Sequence, residues 1–215
     1  MVAIVDWMTS SNNPRYDKVA KDVPFVGLEV SKEVKYLHDT FGTKVNDITL
    51  AGHSLGAHVM GHAARITDKG LELGQIGKIF GLDPAGPLFK KDGLDRNDAA
   101  HVEVIHTDTI LGRYVAIGAV DVFLTWDNNF RLKGGKKISL SYSSCRYSAA
   151  RDIFMDKLNG TEYKNYEIDP EIGSLGTNHV FILDVSGSMS SYGRNQAMIS
   201  SLRHAIALIR ENRQV

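Results

Sequence analysis

The sequence holds a single cysteine, Cys145, so no disulfide can close within the chain, and cysteine content gives no support for secretion. An excess of one charge is also missing, since 25 Lys and Arg balance 25 Asp and Glu. A chain with no net charge has no bulk field to draw it to nucleic acid or to an anionic membrane surface. Its one basic run, Arg131-Leu132-Lys133-Gly134-Gly135-Lys136-Lys137, reads as a solvated loop. No apolar run is long enough to span a bilayer. No secretory leader is visible, because Met1 leads at once into the strand-like Val2-Ala3-Ile4-Val5-Asp6-Trp7. Internal repeats and low-complexity tracts are absent as well. What remains, 43% hydrophobic and 23% charged over 215 residues, is ordinary for a globular chain with one substantial core, or one domain plus a fragment.

The most informative stretch is Leu50-Ala51-Gly52-His53-Ser54-Leu55-Gly56-Ala57-His58, which contains G-x-S-x-G. The pattern alone is weak in a chain rich in Gly and Ser. Its setting strengthens it: β-branched Ile48-Thr49 precede it, and small, helix-tolerant residues run on to Arg65. A sharp strand-to-helix turn needs small neighbours, because Cβ atoms would collide there. Such a turn lifts a serine hydroxyl clear of the sheet, and the helix N-terminus behind it favours developing negative charge. The competing reading is a Gly-rich packing turn with a solvent-facing serine.

Along the chain, Val2–Trp7 reads as a buried parallel strand with a polar tip, and Ser10–Pro14 as a loop. A short helical turn is expected over Tyr16–Lys21. An amphipathic helix is expected over Phe25–Phe41, with Val26, Val30, Val34, Leu37 and Phe41 on one stripe and Gly42 as its stop. Strands follow at Ile48–Ala51, Ile76–Leu82 and His101–His106, with one or two more in Tyr114–Leu124; Ser148–Leu158 reads as helical. Strands alternating with helices predict a mostly parallel α/β sheet with flanking helices. After Gly160 the sequence turns polar and loses period. His179–Asp184 then reads as a fresh apolar strand ending in an acid, and Asn195–Arg210 as a helix with Met198, Leu202, Ala205, Ile206 and Ile209 on one face. The expected organisation is a domain over 1–158, a linker over 159–177 and a strand-helix fragment over 178–215.

In the α/β-hydrolase arrangement, Ser, acid and His follow one another at the ends of strands. Ser54 and Asp83 stand at the ends of successive predicted strands, on one edge of a parallel sheet. Asp83 lies in Gly81-Leu82-Asp83-Pro84-Ala85-Gly86-Pro87, a rigid tip rather than a helix start. It would orient an imidazole and stabilise its charged form. The alternative is a turn aspartate bonded to its own backbone.

Val2–Trp7, Gly52–His58, Gly81–Pro87 and Val104-Ile105-His106-Thr107 together resemble the animal pancreatic-lipase family, over roughly residues 1–158. That family includes triacylglycerol lipases, lipoprotein lipases, phospholipases A1 and inactive insect yolk proteins. The resemblance implies a partial α/β-hydrolase fold, Ser54 as nucleophile, Asp83 as acid and the Leu55 backbone N–H as an oxyanion donor. It also implies a lipid or ester substrate, no cofactor for hydrolysis, and an extracellular location. The family's histidine falls in a block matched here by Ser144-Cys145-Arg146-Tyr147-Ser148-Ala149, where Tyr147 takes its place. Tyrosine, with a pKa of about 10, seldom accepts a proton near neutrality, and a serine without a base is a weak nucleophile. His53 and His58 belong to the elbow, His106 to a packing strand, and His38, His62 and His101 stand in the wrong order. His179 follows Asp83 but lies beyond the linker.

A second oxyanion donor would come from an earlier strand-to-helix loop, which on this reading precedes Met1. The expectation is therefore an N-terminally truncated, catalytically impaired lipase-like domain, in which Tyr147→His alone restores little. The resemblance places a short lid, of the phospholipase A1 kind, at about Lys136–Ser144; an ordinary edge strand is the alternative.

A second resemblance, to the opening of a von Willebrand factor A domain, rests on Phe181-Ile182-Leu183-Asp184-Val185-Ser186-Gly187-Ser188-Met189-Ser190. It implies Asp184, Ser186 and Ser188 as magnesium ligands. Three such ligands without enclosing loops would hold Mg²⁺ poorly. Three functions follow: an active ester hydrolase using a histidine from elsewhere, a catalytically silent lipase-like domain that binds lipid or a protein partner, and a metal-dependent adhesion fragment.

Overall fold

Apolar, β-branched segments separated by helical ones can pair side by side only in parallel, because each return to the sheet needs a crossover. The strands are Val2–Asp6 (β1), Ile48–His53 (β2), Lys78–Leu82 (β3), His101–His106 (β4), Val120–Phe123 (β5) and Val180–Val185 (β6). The structure, a computed structural model, describes residues 1–124, 149–151, 153–154 and the backbone of 180–185. In it the six strands form one sheet in the order β1-β6-β2-β3-β4-β5, every pair parallel.

β2 is buried at all six positions, as a central parallel strand covered on both faces should be. β1 corrects the expectation of a buried strand. Among the described residues it lies at the sheet edge, half-buried, with Ile4 39% exposed and β6 as its neighbour. β6 comes from the far end of the chain and lies between β1 and β2, its Leu183 in register with both Ile4 and Ala51. The linker, the proposed lid and the helix expected over Asn195–Arg210 lie outside the described residues.

Residues 8–41 differ from the sequence reading. Part of the expected loop is a short helix, Met8–Ser11 (α1), and the two helical pieces are one helix, Tyr16–Phe41 (α2), running through Pro24. Proline in a helix interior costs about 3 kcal/mol. Burial of Val19, Val23, Val30, Val34 and Leu37 on both sides of it offsets that cost. Phe41, placed on the apolar stripe from sequence, is instead 58% exposed. Gly42 does end the helix, at φ 66°, with its N–H donating to the His38 carbonyl.

Leu55–Arg65 (α3) packs against α2 on one face of the sheet. The two helices meet at Gly27, where a Cβ would overlap that of His62. Residues 149–151, 153 and 154 are helical, as expected from sequence, and Phe154 lies 4.9 Å from the Phe80 ring. Phe80 alternates with Ile79, which faces the α2–α3 core, so this helix covers the opposite face. The Tyr114–Leu124 stretch yields one strand, because Asp121 takes the Ile117 and Gly118 N–H groups and bends the chain just before it.

Candidate active site

Ser54 stands between β2 and α3 with φ 58° and ψ −120°, a conformation that L-residues seldom adopt. The turn closes because Gly52 has no side chain: a Cβ there would overlap the Gly56 carbonyl. Two hydrogen bonds tie Ser54 to the end of β3. Its N–H donates to the Leu82 carbonyl (3.0 Å), and the Ala85 N–H donates to the Ser54 carbonyl (3.2 Å). Leu55 opens α3, so its N–H has no carbonyl of its own helix to meet.

Asp83 follows β3 directly, also at positive φ (46°), with its N–H bonded to the Ile105 carbonyl at 2.7 Å. Its carboxylate is fully buried. Oδ1 accepts the Thr107 N–H (3.0 Å) and the Asp108 N–H (3.1 Å), both just past β4. Oδ2 accepts no hydrogen bond from the described residues. Burial raises the Asp83 pKa to about 6, against the pull of the Thr107 and Asp108 N–H groups. A second loop closes over the carboxylate. Gly86 N–H bonds Leu111 O (2.8 Å), Arg113 N–H bonds Pro84 O (2.7 Å), and a Cβ on Gly112 would overlap the Asp83 carboxylate. Asp108 Oδ1 holds that loop by accepting the Ile110 and Leu111 N–H groups (2.6 and 2.9 Å).

Several histidines are engaged elsewhere. His38 Nδ1 lies 3.0 Å from the Thr43 carbonyl oxygen, and His106 Nε2 lies 2.8 Å from Asp121 Oδ1, its ring stacked on Phe123 at 4.4 Å. His58 Nε2 lies 2.8 Å from the Ala85 carbonyl, while its Nδ1 accepts the Leu94 N–H at 3.0 Å. That pattern fixes the neutral Nε2–H tautomer, and burial drives its pKa down to about 3.

The structure therefore brings together two of the sequence-derived site residues, Ser54 and Asp83, with Leu55 beside them. Tyr147, Ser186 and Ser188 lie outside the described residues. Asp184 sits in β6 opposite Val5, within the sheet rather than in a ligand loop. Among the described residues no three His, Cys, Asp or Glu side chains are grouped to hold a metal ion, and no helix is long and apolar enough to cross a membrane. The sequence reading missed the N–H groups of Thr107 and Asp108, the close approach of Gly112 and the contacts of His58. Thr107 and His58 do lie in two of the blocks that carry the resemblance, Val104–Thr107 and Gly52–His58, but neither block shows these contacts.

A family model described as Lipase matches residues 1–134. A protein named phospholipase A1 4 from Polistes dominula is 31% identical over 189 residues, covering 80% of this chain and 57% of that protein. A phospholipase A1 from Vespa basalis is 32% identical over 168 residues, covering 73% and 54%. A pancreatic triacylglycerol lipase from Homo sapiens is 42% identical over 108 residues, covering 48% and 22%. The chain thus spans little more than half the length of the first two and about a fifth of the third.

Proposed function

The chain belongs to the lipase family, with a partial α/β-hydrolase fold, and from that premise we propose a secreted phospholipase A1-type or triacylglycerol lipase-type domain with impaired turnover. Its substrate or ligand class is a lipid ester. Ser54 Oγ is the nucleophile toward the ester carbonyl, and the Leu55 N–H faces the oxygen on which charge develops. Asp83 is the acid whose Oδ2 would hold and polarise an imidazole. The observation that carries this reading is the joint between Ser54 and Ala85, which sets the serine turn against the Asp83 tip at 3.2 Å.

In the sequence, tyrosine stands at position 147, where the family's block carries its histidine. Loss of the histidine in a serine protease costs on the order of a million-fold in turnover, and a phenol with a pKa of about 10 does not replace it near neutrality. The test is hydrolysis of a short-chain p-nitrophenyl ester by the wild-type chain and by Ser54→Ala. Equal rates are expected. A wild-type rate about a hundredfold or more above Ser54→Ala would show that another base, His179 being the first candidate, serves Ser54.

A further inference from the structure

We infer that His58, Gly61 and Arg65, one stripe of α3, are positioning residues that lock the loop carrying Asp83 onto the helix that begins at the serine. The inference deepens, and rests on, the reading of Ser54 and Asp83 as nucleophile and acid. Spacings of three and four place the three residues on one helix face. All three engage the segment from Ala85 to Asp98, which leaves the tip of β3.

Ala85 is the pivot. Its carbonyl receives His58 Nε2–H, while its N–H donates to the Ser54 carbonyl, so Ser54, Ala85 and His58 close a ring through the first turn of α3. The other His58 nitrogen holds Leu94, and the ring stacks on Phe89 at 4.0 Å and 16°. Gly61 lets the loop come close, since a Cβ there would lie 2.7 Å from Asp98 Oδ2 and 3.2 Å from Leu94 Cα. Arg65 Nη1 then bonds both Asp98 oxygens (2.8 and 2.7 Å) and the Gly93 carbonyl (3.2 Å), with Asp98 itself 4% exposed. A neutral ring that donates at one nitrogen and accepts at the other holds both Ala85 and Leu94 without adding a charge to the core. With both nitrogens engaged, His58 does not shuttle protons.

The test uses the full chain, with nitrogen-15 spectra of the histidine rings and carbon-13 titration of the Asp83 carboxyl. In the wild type, His58 should show one Nε2–H tautomer, unchanged from about pH 4.5 to 8. His58→Phe keeps a stacking ring but neither hydrogen bond. It should loosen the loop, admit water and lower the Asp83 midpoint by about one pH unit or more. His58→Gln, which can still donate and accept, should keep the wild-type midpoint. A lowered melting temperature in His58→Phe with an unchanged Asp83 midpoint would overturn the inference. So would a wild-type His58 that titrates near its ordinary value, a result obtained even if His58→Phe fails to fold. Neither readout needs turnover, so a wild-type esterase rate far above that of Ser54→Ala would count against the functional reading and leave this one standing.

Discussion

At the residue scale, burial of the Asp83 carboxyl works against the fold at neutral pH. Its carboxyl titrates near 6 when folded and 3.8 when exposed, so between those values the folded state holds the proton that the unfolded state has released. Stability from this group is fully present below pH 3.8, falls as pH rises, and is gone above about 6. The shift corresponds to about 3 kcal/mol at most. Asp83→Asn should therefore be more stable than wild type by about 1–2 kcal/mol at pH 7.5 and equal to it near pH 4; urea denaturation at the two pH values measures this. At this scale the sequence was informative where chemistry resides in side chains: Ser54 and Asp83 stand in marked blocks. It was silent about the N–H groups of Thr107 and Asp108, because every residue but proline carries such a donor and only folding aims it. The two nitrogens of His58 were hidden for the same reason.

Among the elements, α2 departs furthest from its sequence pattern. Pro24 signals a break, yet the apolar positions on either side face the same core, and their burial carries the helix through. Pro24 is itself exposed. Pro24→Ala should restore an N–H to the helix without disturbing packing, and should stabilise the chain by about 1–3 kcal/mol in thermal or urea melts. Little or no gain would mean that stiffening of the unfolded chain by proline balances the lost bond. α3 and β4 were legible almost to the residue, since a glycine-bounded turn opens one and an apolar run of fixed length defines the other. β5 was not, because Asp121 spends the preceding residues on a turn, a long-range consequence of where its carboxylate points.

For the whole molecule, the class of sheet could be read from alternating strands and helices, but the strand order could not. No local pattern says that Val180–Val185 enters between strands that begin at Val2 and Ile48. β1 is tied to the sheet through β6 alone among the described residues, so β6 carries more than its own six positions. Leu183→Pro removes a backbone N–H from an interior strand, where proline is not accommodated. It should lower stability by about 3 kcal/mol or more and release hydrogen-exchange protection in β1 as well as β6, while β3 and β4 keep theirs. Protection of β1 that survives the substitution would mean that β1 holds to the sheet by other contacts.

We propose that Ser54, set beside the buried Asp83, lacks a base because the sequence has tyrosine at position 147. The most direct test is modification by a fluorophosphonate, mapped by mass spectrometry in wild type, Tyr147→His and Tyr147→His with Asp83→Ala. The predicted result is an adduct on Ser54 that forms at least about tenfold faster in Tyr147→His than in wild type and loses that gain without Asp83, while ester turnover stays low because a base alone does not supply the second oxyanion donor. Labelling as fast in the wild type, or an adduct on any other residue, would contradict it.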